Sequence, residues 1–332
     1  MFEQRRAIDW PLDQPPQLLV VVDTEEEFDW RAEPDQNATA VAAMGYIDRV
    51  QTICSDYGLA PCYVIDYPVA SQPAGYQHLK ALLARGQCEI GAHLHPWVNP
   101  PVQEEINRFN TYPGNLPESL EREKLKVLTD TIEENLGTRP VAYKAGRYGF
   151  GPNTACTLEE LGYGIDLSVC PPLDSTADGG PDYTHYNAWP FWFGSENHPI
   201  LELPCTGGFV GWAGHWSPGL YRAAQRAWRF RAPGLLARAG VVDRLMLSPE
   251  GFDHKEHIKL VRSLYQRGLR VFTWSFHSPS VVPGNTPYVQ TEAELERFLD
   301  SFRAFFDFFL NDLGGQATTP SVLLKRIKES KP

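Results

Sequence analysis

A rhythm of short apolar runs separated by amphipathic stretches constrains this chain most. Gln17 to Asp23 reads QLLVVVD, a continuous apolar run of the kind buried in a parallel sheet with cover on both faces, and it ends in acids. Asn37-Ala38-Thr39 can cap a helix through Tyr57, in which Val41, Met44, Ile47, Val50 and Ile53 recur at near-helical spacing before Gly58 ends it. The same alternation predicts strands at Pro61 to Ile65, Cys88 to His93, Val141 to Tyr143 and Ile165 to Val169, with helices near Gln77 to Arg85, Glu118 to Leu136 and Asn153 to Leu161 between them. It lapses from Pro171 to His198 into a stretch rich in Pro, Gly, Asp and aromatics, too long for a simple connection. It then resumes with strands at Leu201 to Leu203, Arg244 to Leu247 and Leu269 to Trp274, and helices around Leu220 to Ala239, Asp253 to Gln266 and Glu292 to Leu310. Alternation of this kind implies βαβ units, hence the α/β class with a parallel sheet. Roughly eight strand candidates favour a closed or nearly closed barrel over an open sheet.

The expected organisation is one barrel domain over residues 1–313, with 171–199 as an insert or lid and 314–332 as a loosely packed C-terminal tail. The formal charge of −11 is carried by scattered acids with no basic stretch, which argues against nucleic acid or an anionic membrane face as a partner. No segment approaches the roughly 18 apolar residues of a membrane span, and MFEQRRAIDW is not followed by an apolar run of signal-peptide length. A soluble, cytoplasmic protein without membrane insertion is the expectation. Cys54, Cys62, Cys88, Cys156, Cys170 and Cys205 form no CxxC pair and read as reduced core cysteines. Aromatic residues make up 12% of the chain, with nine tryptophans, which suits sugar stacking but equally suits a core.

In α/β barrels the working groups lie at the carboxyl ends of strands, and here polar residues concentrate there. The first strand ends Asp23-Thr24-Glu25-Glu26-Glu27; side chains alternate along a strand, so Asp23 and Glu25 face one side together. The third ends His93-Leu94-His95-Pro96-Trp97, and the same alternation brings His93 and His95 together. Two imidazoles and a carboxylate suffice for a catalytic metal site with an open position for water. A further strand ends in YKAGRYGFG, a Gly-rich turn carrying Lys144 and Arg147, whose backbone N–H groups can receive a developing oxyanion. The last strand ends WSFHSPS, placing His277 at the rim as a candidate general acid. His254 and His257, in HKEH on an expected helix, lack the HExxH order and read as surface residues. His185, His198 and His215 fall in loops, where nothing in their spacing requires a role.

In this order the motifs resemble the polysaccharide deacetylase family, the NodB-homology group of carbohydrate esterases, over roughly Leu18 to Ser280. The resemblance implies a distorted (β/α) barrel of about seven or eight strands and a divalent metal, Zn foremost with Co, Mn or Ni as alternatives. It implies further that VVDTEEEF supplies Asp23 as base and Glu25 as metal ligand, and that EIGAHLHPW supplies His93 as ligand. The family separates the two histidines of that motif by four residues; here the fourth after His93 is Trp97, so the second ligand is either His95, as strand alternation allows, or a residue from elsewhere in the chain. YKAGRYGFG resembles the motif in which an Arg orients the base and a backbone N–H, near Tyr148, binds the oxyanion. Lys144 and Arg147 both qualify as the orienting cation. PDYTHYNAWPFWF looks like a divergent pocket-lining motif, making Asp182, Trp189 and Trp192, together with Trp97, the expected substrate contacts. FHSPS resembles the last motif, with His277 as acid.

The implied activity is hydrolysis of an acetyl group, N-acetyl before O-acetyl, from a carbohydrate in surface-polysaccharide metabolism. A small-substrate amidase or imidase on the same barrel and a sugar-binding homologue without catalysis are the alternatives. An amidohydrolase or metal phosphoesterase barrel fits less well, because those folds place HxH on the first strand, where this chain has its acid pair.

Overall fold

The computed structural model describes residues 2–329 apart from 3, 4, 9, 214–218, 222, 224–234 and 237–238. His215 and most of the helix expected at 220–239 lie outside the described residues. Twelve strands are seen among the described residues: β1 (Arg6–Ala7), β2 (Gln17–Thr24), β3 (Cys62–Ile65), β4 (Glu89–Leu94), β5 (Ala142–Ala145), β6 (Ile165–Asp166), β7 (Phe191–Phe193), β8 (Ile200–Glu202), β9 (Gly207–Val210), β10 (Asp243–Met246), β11 (Val271–His277) and β12 (Gln316–Ala317). The helices that cover them are α1 (Asp48–Asp56), α2 (Tyr67–Ser71), α3 (Pro73–Ala84), α4 (Glu118–Leu136), α5 (Thr154–Leu161), α6 (His254–Gln266), α7 (Glu292–Asp307) and α8 (Pro320–Glu329).

Seven strands run parallel in the order β11, β2, β3, β4, β5, β6, β8, which is the frame of a (β/α) barrel. Strand alternation sorts their side chains. Leu19, Val21, Cys62, Val64, Ala142, Ile165, Leu201 and Val271 pack together inside, while Leu18, Val20, Val22, Tyr63 and Phe272 face the helices. The interior is tight at Gly91: a Cβ there would lie 2.8 Å from Val64 Cγ1 and 2.9 Å from the Ala142 carbonyl oxygen, so only glycine fits. Among the described residues no ladder joins β8 to β11. Isolated hydrogen bonds span the gap instead, from Leu247 N–H to Thr206 O at 2.8 Å and from Ser275 N–H to Leu247 O at 3.2 Å.

Three expectations need correcting. The run Arg244 to Leu247 is not a parallel stave, because β10 pairs antiparallel with β9 as a hairpin across that gap. The segment expected as a lid contains β7, which is buried and pairs antiparallel with both β8 and β1. The residues after Gly314 are not loose: β12 pairs with the start of β2, and α8 buries Leu323 and Ile327 among Leu19, Leu201 and Val271. They form the floor of the barrel, at the end opposite the carboxyl termini of the strands.

Outside the barrel, α7 starts with a capping box between Thr291 and Glu294 and lays Phe298, Phe302, Phe305 and Phe306 against Trp274 and Phe276 of β11. His257 of α6 belongs to the same packing and is fully buried, in contrast to the surface position expected of it; His254 is exposed. Burial holds the His257 imidazole down at about 4, and its ring nitrogen donates to Ser248 O at 2.7 Å. Among the described residues no helix is long and apolar enough to cross a membrane. Five of the cysteines are buried and Cys156 is exposed.

Candidate active site

Sheet register brings the chemistry together. Asp23 at the end of β2 lies opposite His277 at the end of β11, and His93 near the end of β4 lies opposite Lys144 on β5. All share the parity of the interior positions, so all project into the mouth of the barrel. Glu25 and His95 extend the same two strand ends by one alternation each.

Glu25, His93 and His95 are buried, and one Glu25 oxygen lies 3.6 Å from His93 Nε2 and 3.5 Å from His95 Nε2. Those separations are long for hydrogen bonds. They are close to the edge of roughly 3.4 Å that tetrahedral N and O ligands at ~2.0–2.2 Å from a metal would make. The second Glu25 oxygen, also buried, has no hydrogen-bond partner. His93 Nδ1 donates to the Lys144 carbonyl at 3.0 Å, which leaves a lone pair on Nε2 toward Glu25. His95 places its Nδ1 at 2.8 Å from Glu26 Oε2, with the same consequence. Burial lowers both imidazoles, His95 to about 4, and lifts the Glu25 carboxyl to about 7. Neutral imidazoles joined to a carboxylate whose ionised form lacks a partner suit a divalent metal, and these three residues form such a group.

Beside this group Lys144 Nζ sits 2.6 and 2.8 Å from the two oxygens of Asp23. Burial alone would raise the Asp23 carboxyl; Lys144 foremost, helped by His93 and His277, outweighs it and holds the group below the usual carboxylate range. Lys144 is in turn raised, since Asp23 overcomes its own burial. Arg147 does not contact Asp23. Its guanidinium donates to Thr111 Oγ1 at 2.6 Å and to Asp178 at 2.8 Å, and lies 4.3 Å from the centre of the Tyr112 ring. The physical reason is backbone conformation: Arg147 and Tyr148 have φ of 53° and 59°, so the chain turns sharply after β5 and carries the Arg147 side chain away from Asp23 to the wall of the cleft, beside Thr111 and Tyr112. Two successive left-handed non-glycine residues cost on the order of 1–3 kcal/mol each. The turn is pinned by Tyr183, whose hydroxyl donates to Tyr148 O at 2.7 Å, and by Gly114 N–H on Gly149 O at 2.8 Å.

His277 Nε2 lies 3.7 Å from Asp23, and its Nδ1 is 2.7 Å from Glu250 Oε2. Burial would lower this imidazole; Glu250 and Glu25 reverse that and lift it to about 10. Glu250, in the loop between β10 and α6, also accepts the His277 backbone N–H at 3.1 Å and the Ser280 hydroxyl. It is absent from the sequence reading. Its position just beyond a strand end was the available signal, but SPEGFD otherwise looks like a solvated turn.

Asp23, Glu25, His93, His95, Tyr148 and His277 all line one cleft of about 480 Å³, walled by Phe28, Trp30, Trp97, Tyr112 and Tyr288. Trp97 stacks on His95 with ring centres 4.2 Å apart. The other expected substrate contacts are elsewhere. Trp192 is buried toward the barrel floor with Leu201 and Leu323. Trp189 lines a separate cleft beside Phe209 and Arg267. Asp182 is exposed, bridged to Asp174. β7 takes Phe191 to Phe193 into the sheet between β8 and β1, while Leu173 and Ser175, earlier in the expected insert, do line the cleft.

No protein-family model and no curated protein matches the sequence. Solved structures do resemble the fold. A protein from Mycobacterium smegmatis provisionally named a polysaccharide deacetylase aligns over 97% of this chain and 93% of its own at 15% identity, with a TM-score of 0.53. The PuuE allantoinase aligns over 95% and 91% at 15% identity, also with a TM-score of 0.53. A 4-alpha-glucanotransferase from Thermococcus litoralis aligns over 96% of this chain and 41% of its own at 13% identity, with a TM-score of 0.52. At such identities architecture is what is shared: this chain carries the NodB-like (β/α) barrel fold on which polysaccharide deacetylases are built.

Proposed function

We propose that this chain is a metal-dependent hydrolase that removes an acetyl group, N-acetyl before O-acetyl, from a carbohydrate in surface-polysaccharide metabolism. One observation carries the reading: a buried Glu25–His93–His95 group is flanked, within a single aromatic-walled cleft, by Asp23 paired with Lys144 and by His277 paired with Glu250. Glu25, His93 and His95 would hold the metal, with Zn the first choice for two imidazoles and a carboxylate. The bound ion would supply Lewis acidity toward the acetyl carbonyl and toward a water molecule.

The remaining chemistry belongs to the chain. Asp23, kept ionised by Lys144, takes the proton of the attacking water. The Tyr148 backbone N–H, in its strained turn, stabilises negative charge developing on the acetyl oxygen. His277, kept protonated by Glu250, donates to the leaving amine. Trp97 and the neighbouring rings hold the sugar face. Asp23→Asn should abolish acetate release while metal content, measured by elemental analysis, stays at the wild-type level. An Asn variant that retained full turnover would overturn the assignment of the base.

The equal likeness to an allantoinase favours a second reading, hydrolysis of a small amide or imide by the same groups. Parallel screens separate the two: acetate release from nucleotide-linked and oligomeric acetylated sugars, against ring opening of cyclic imides and ureides. Metal uptake with neither activity would favour a sugar-binding protein without catalysis.

A further inference from the structure

Glu26 has no part in the chemistry above, yet it is fully buried at the site. It touches the edge of His95 opposite the one that faces Glu25, with Oε2 2.8 Å from Nδ1. Asp66, directly after β3, fixes where Glu26 lies: one of its oxygens accepts the Glu26 backbone N–H at 2.7 Å, and the other caps α2 by accepting the Val69 N–H at 2.8 Å. Trp97 covers the face of the same imidazole.

His95 needs such support because of where it stands. It follows the last residue of β4 in extended backbone, at φ −97° and ψ 101°, and caps a single tight turn at Pro96–Val98 without its side chain bonding to that turn, so the turn does not hold its ring. A neutral imidazole carries one N–H. If that hydrogen sat on Nε2, it would point at Glu25 and close the ligand position; a carboxylate at Nδ1 draws it to the far side and frees Nε2. Glu26, Asp66 and His95 also bring their ligand atoms close together, as a second metal group would. The distances decide against it: 2.8 Å between His95 Nδ1 and Glu26 is a direct hydrogen bond, shorter than the roughly 3.4 Å edge of a shared metal.

We infer that Glu26, held in place by Asp66, is the positioning residue that makes His95 a metal ligand, by fixing its ring and keeping the hydrogen on Nδ1. The inference rests on the proposed reading that Glu25, His93 and His95 bind a divalent ion.

The test is metal binding by the full chain. Zn(II) affinity is measured by competition with a chromogenic chelator, stoichiometry by elemental analysis, and ligand geometry by the visible absorption of the Co(II) form. The wild type should take one ion per chain. Glu26→Leu should weaken binding by about 10- to 100-fold and shift the Co(II) bands, Glu26→Gln should fall at the lower end of that range, and Glu26→Asp should recover part of the loss. Glu26→Gln keeps the side-chain shape and serves if the Leu variant does not fold. Wild-type affinity and an unchanged Co(II) spectrum in folded Glu26→Leu and Glu26→Gln would sink the inference and leave the metal reading intact. Two ions per wild-type chain, one of them lost in Glu26→Leu, would make Glu26 a ligand and overturn the positioning role. A wild type that takes up no ion would overturn the metal reading and this inference with it.

Discussion

Asp23 and Lys144 are both out of water, and such a pair holds only when its geometry offsets two desolvation penalties. Here Nζ reaches both carboxylate oxygens, so deleting the cation leaves a buried charge alone. Lys144→Met is expected to lose ~3–5 kcal/mol in chemical denaturation. Arg147→Ala, which severs contacts to Thr111, Asp178, Tyr112 and the Arg108 carbonyl but leaves the buried Asp23–Lys144 pair intact, should change stability far less. Equal losses in the two variants would contradict the assignment of Lys144 as the cation of the base. At the far side of the same carboxylate, Glu250→Gln removes the charge that keeps His277 protonated. Its kcat should fall roughly 10²-fold or more, as for a lost general acid, with KM near the wild-type value. A KM defect alone would instead place Glu250 in substrate binding. Asp23, Glu25, His93, His95 and His277 were legible because strand parity dictates which side chains share a face. The choice between Lys144 and Arg147 was not, since it depends on two left-handed φ angles that no side-chain pattern announces. Glu250 was hidden for a related reason: loops have no periodicity to read.

Among the elements, the parallel strands and long helices followed the sequence pattern because burial on both faces leaves an uninterrupted apolar signature. Short pieces escaped it. α2 is barely more than one turn, and α1 begins at Asp48, not near Thr39, because 42–46 takes a tighter helical turn first. The direction of β10 was beyond reach, as a four-residue strand such as DRLM reads the same whether its partner is parallel or antiparallel. Packing between elements carries a pH signature of its own. Asp166 on β6 and Glu202 on β8 pair in the sheet on the side away from the barrel interior, both fully buried. Burial lifts Asp166 to about 6; burial, then Asp166, lifts Glu202 well above the usual range. Folded values above the unfolded ones mean that the stabilisation from this pair is complete below about pH 4 and is lost as the pH rises through 6 and beyond. Asp166→Asn cannot ionise, so its Tm should fall less than that of the wild type between about pH 5 and 8 by calorimetry. Parallel Tm profiles for the two proteins would refute the account.

At the scale of the molecule the cleft and the floor lie at opposite ends of one barrel, and the floor is made by the last residues of the chain. An amphipathic stretch as short as PSVLLKRIKE resembles a fraying terminus in sequence, because nothing local shows that the barrel bottom is otherwise open. The structure ties it to the strand starts. Leu323 is fully buried, Arg326 donates to Gln17 at the start of β2 at 2.9 Å, and the Ser321 N–H reaches Glu89 at the start of β4 at 3.2 Å. Leu323→Ala is therefore expected to lose ~2–5 kcal/mol, as for a core leucine. Deleting 314–332 should lower the Tm further, since it also strips β12 from β2. Neither change touches the barrel mouth, so both variants should bind metal with wild-type stoichiometry at temperatures where circular dichroism shows them folded. A deletion with wild-type Tm would return these residues to the status of a tail. A folded deletion that lost its metal would instead mean that the floor transmits strain along β2 and β4 to Glu25 and His93, making the barrel a single mechanical unit from end to end.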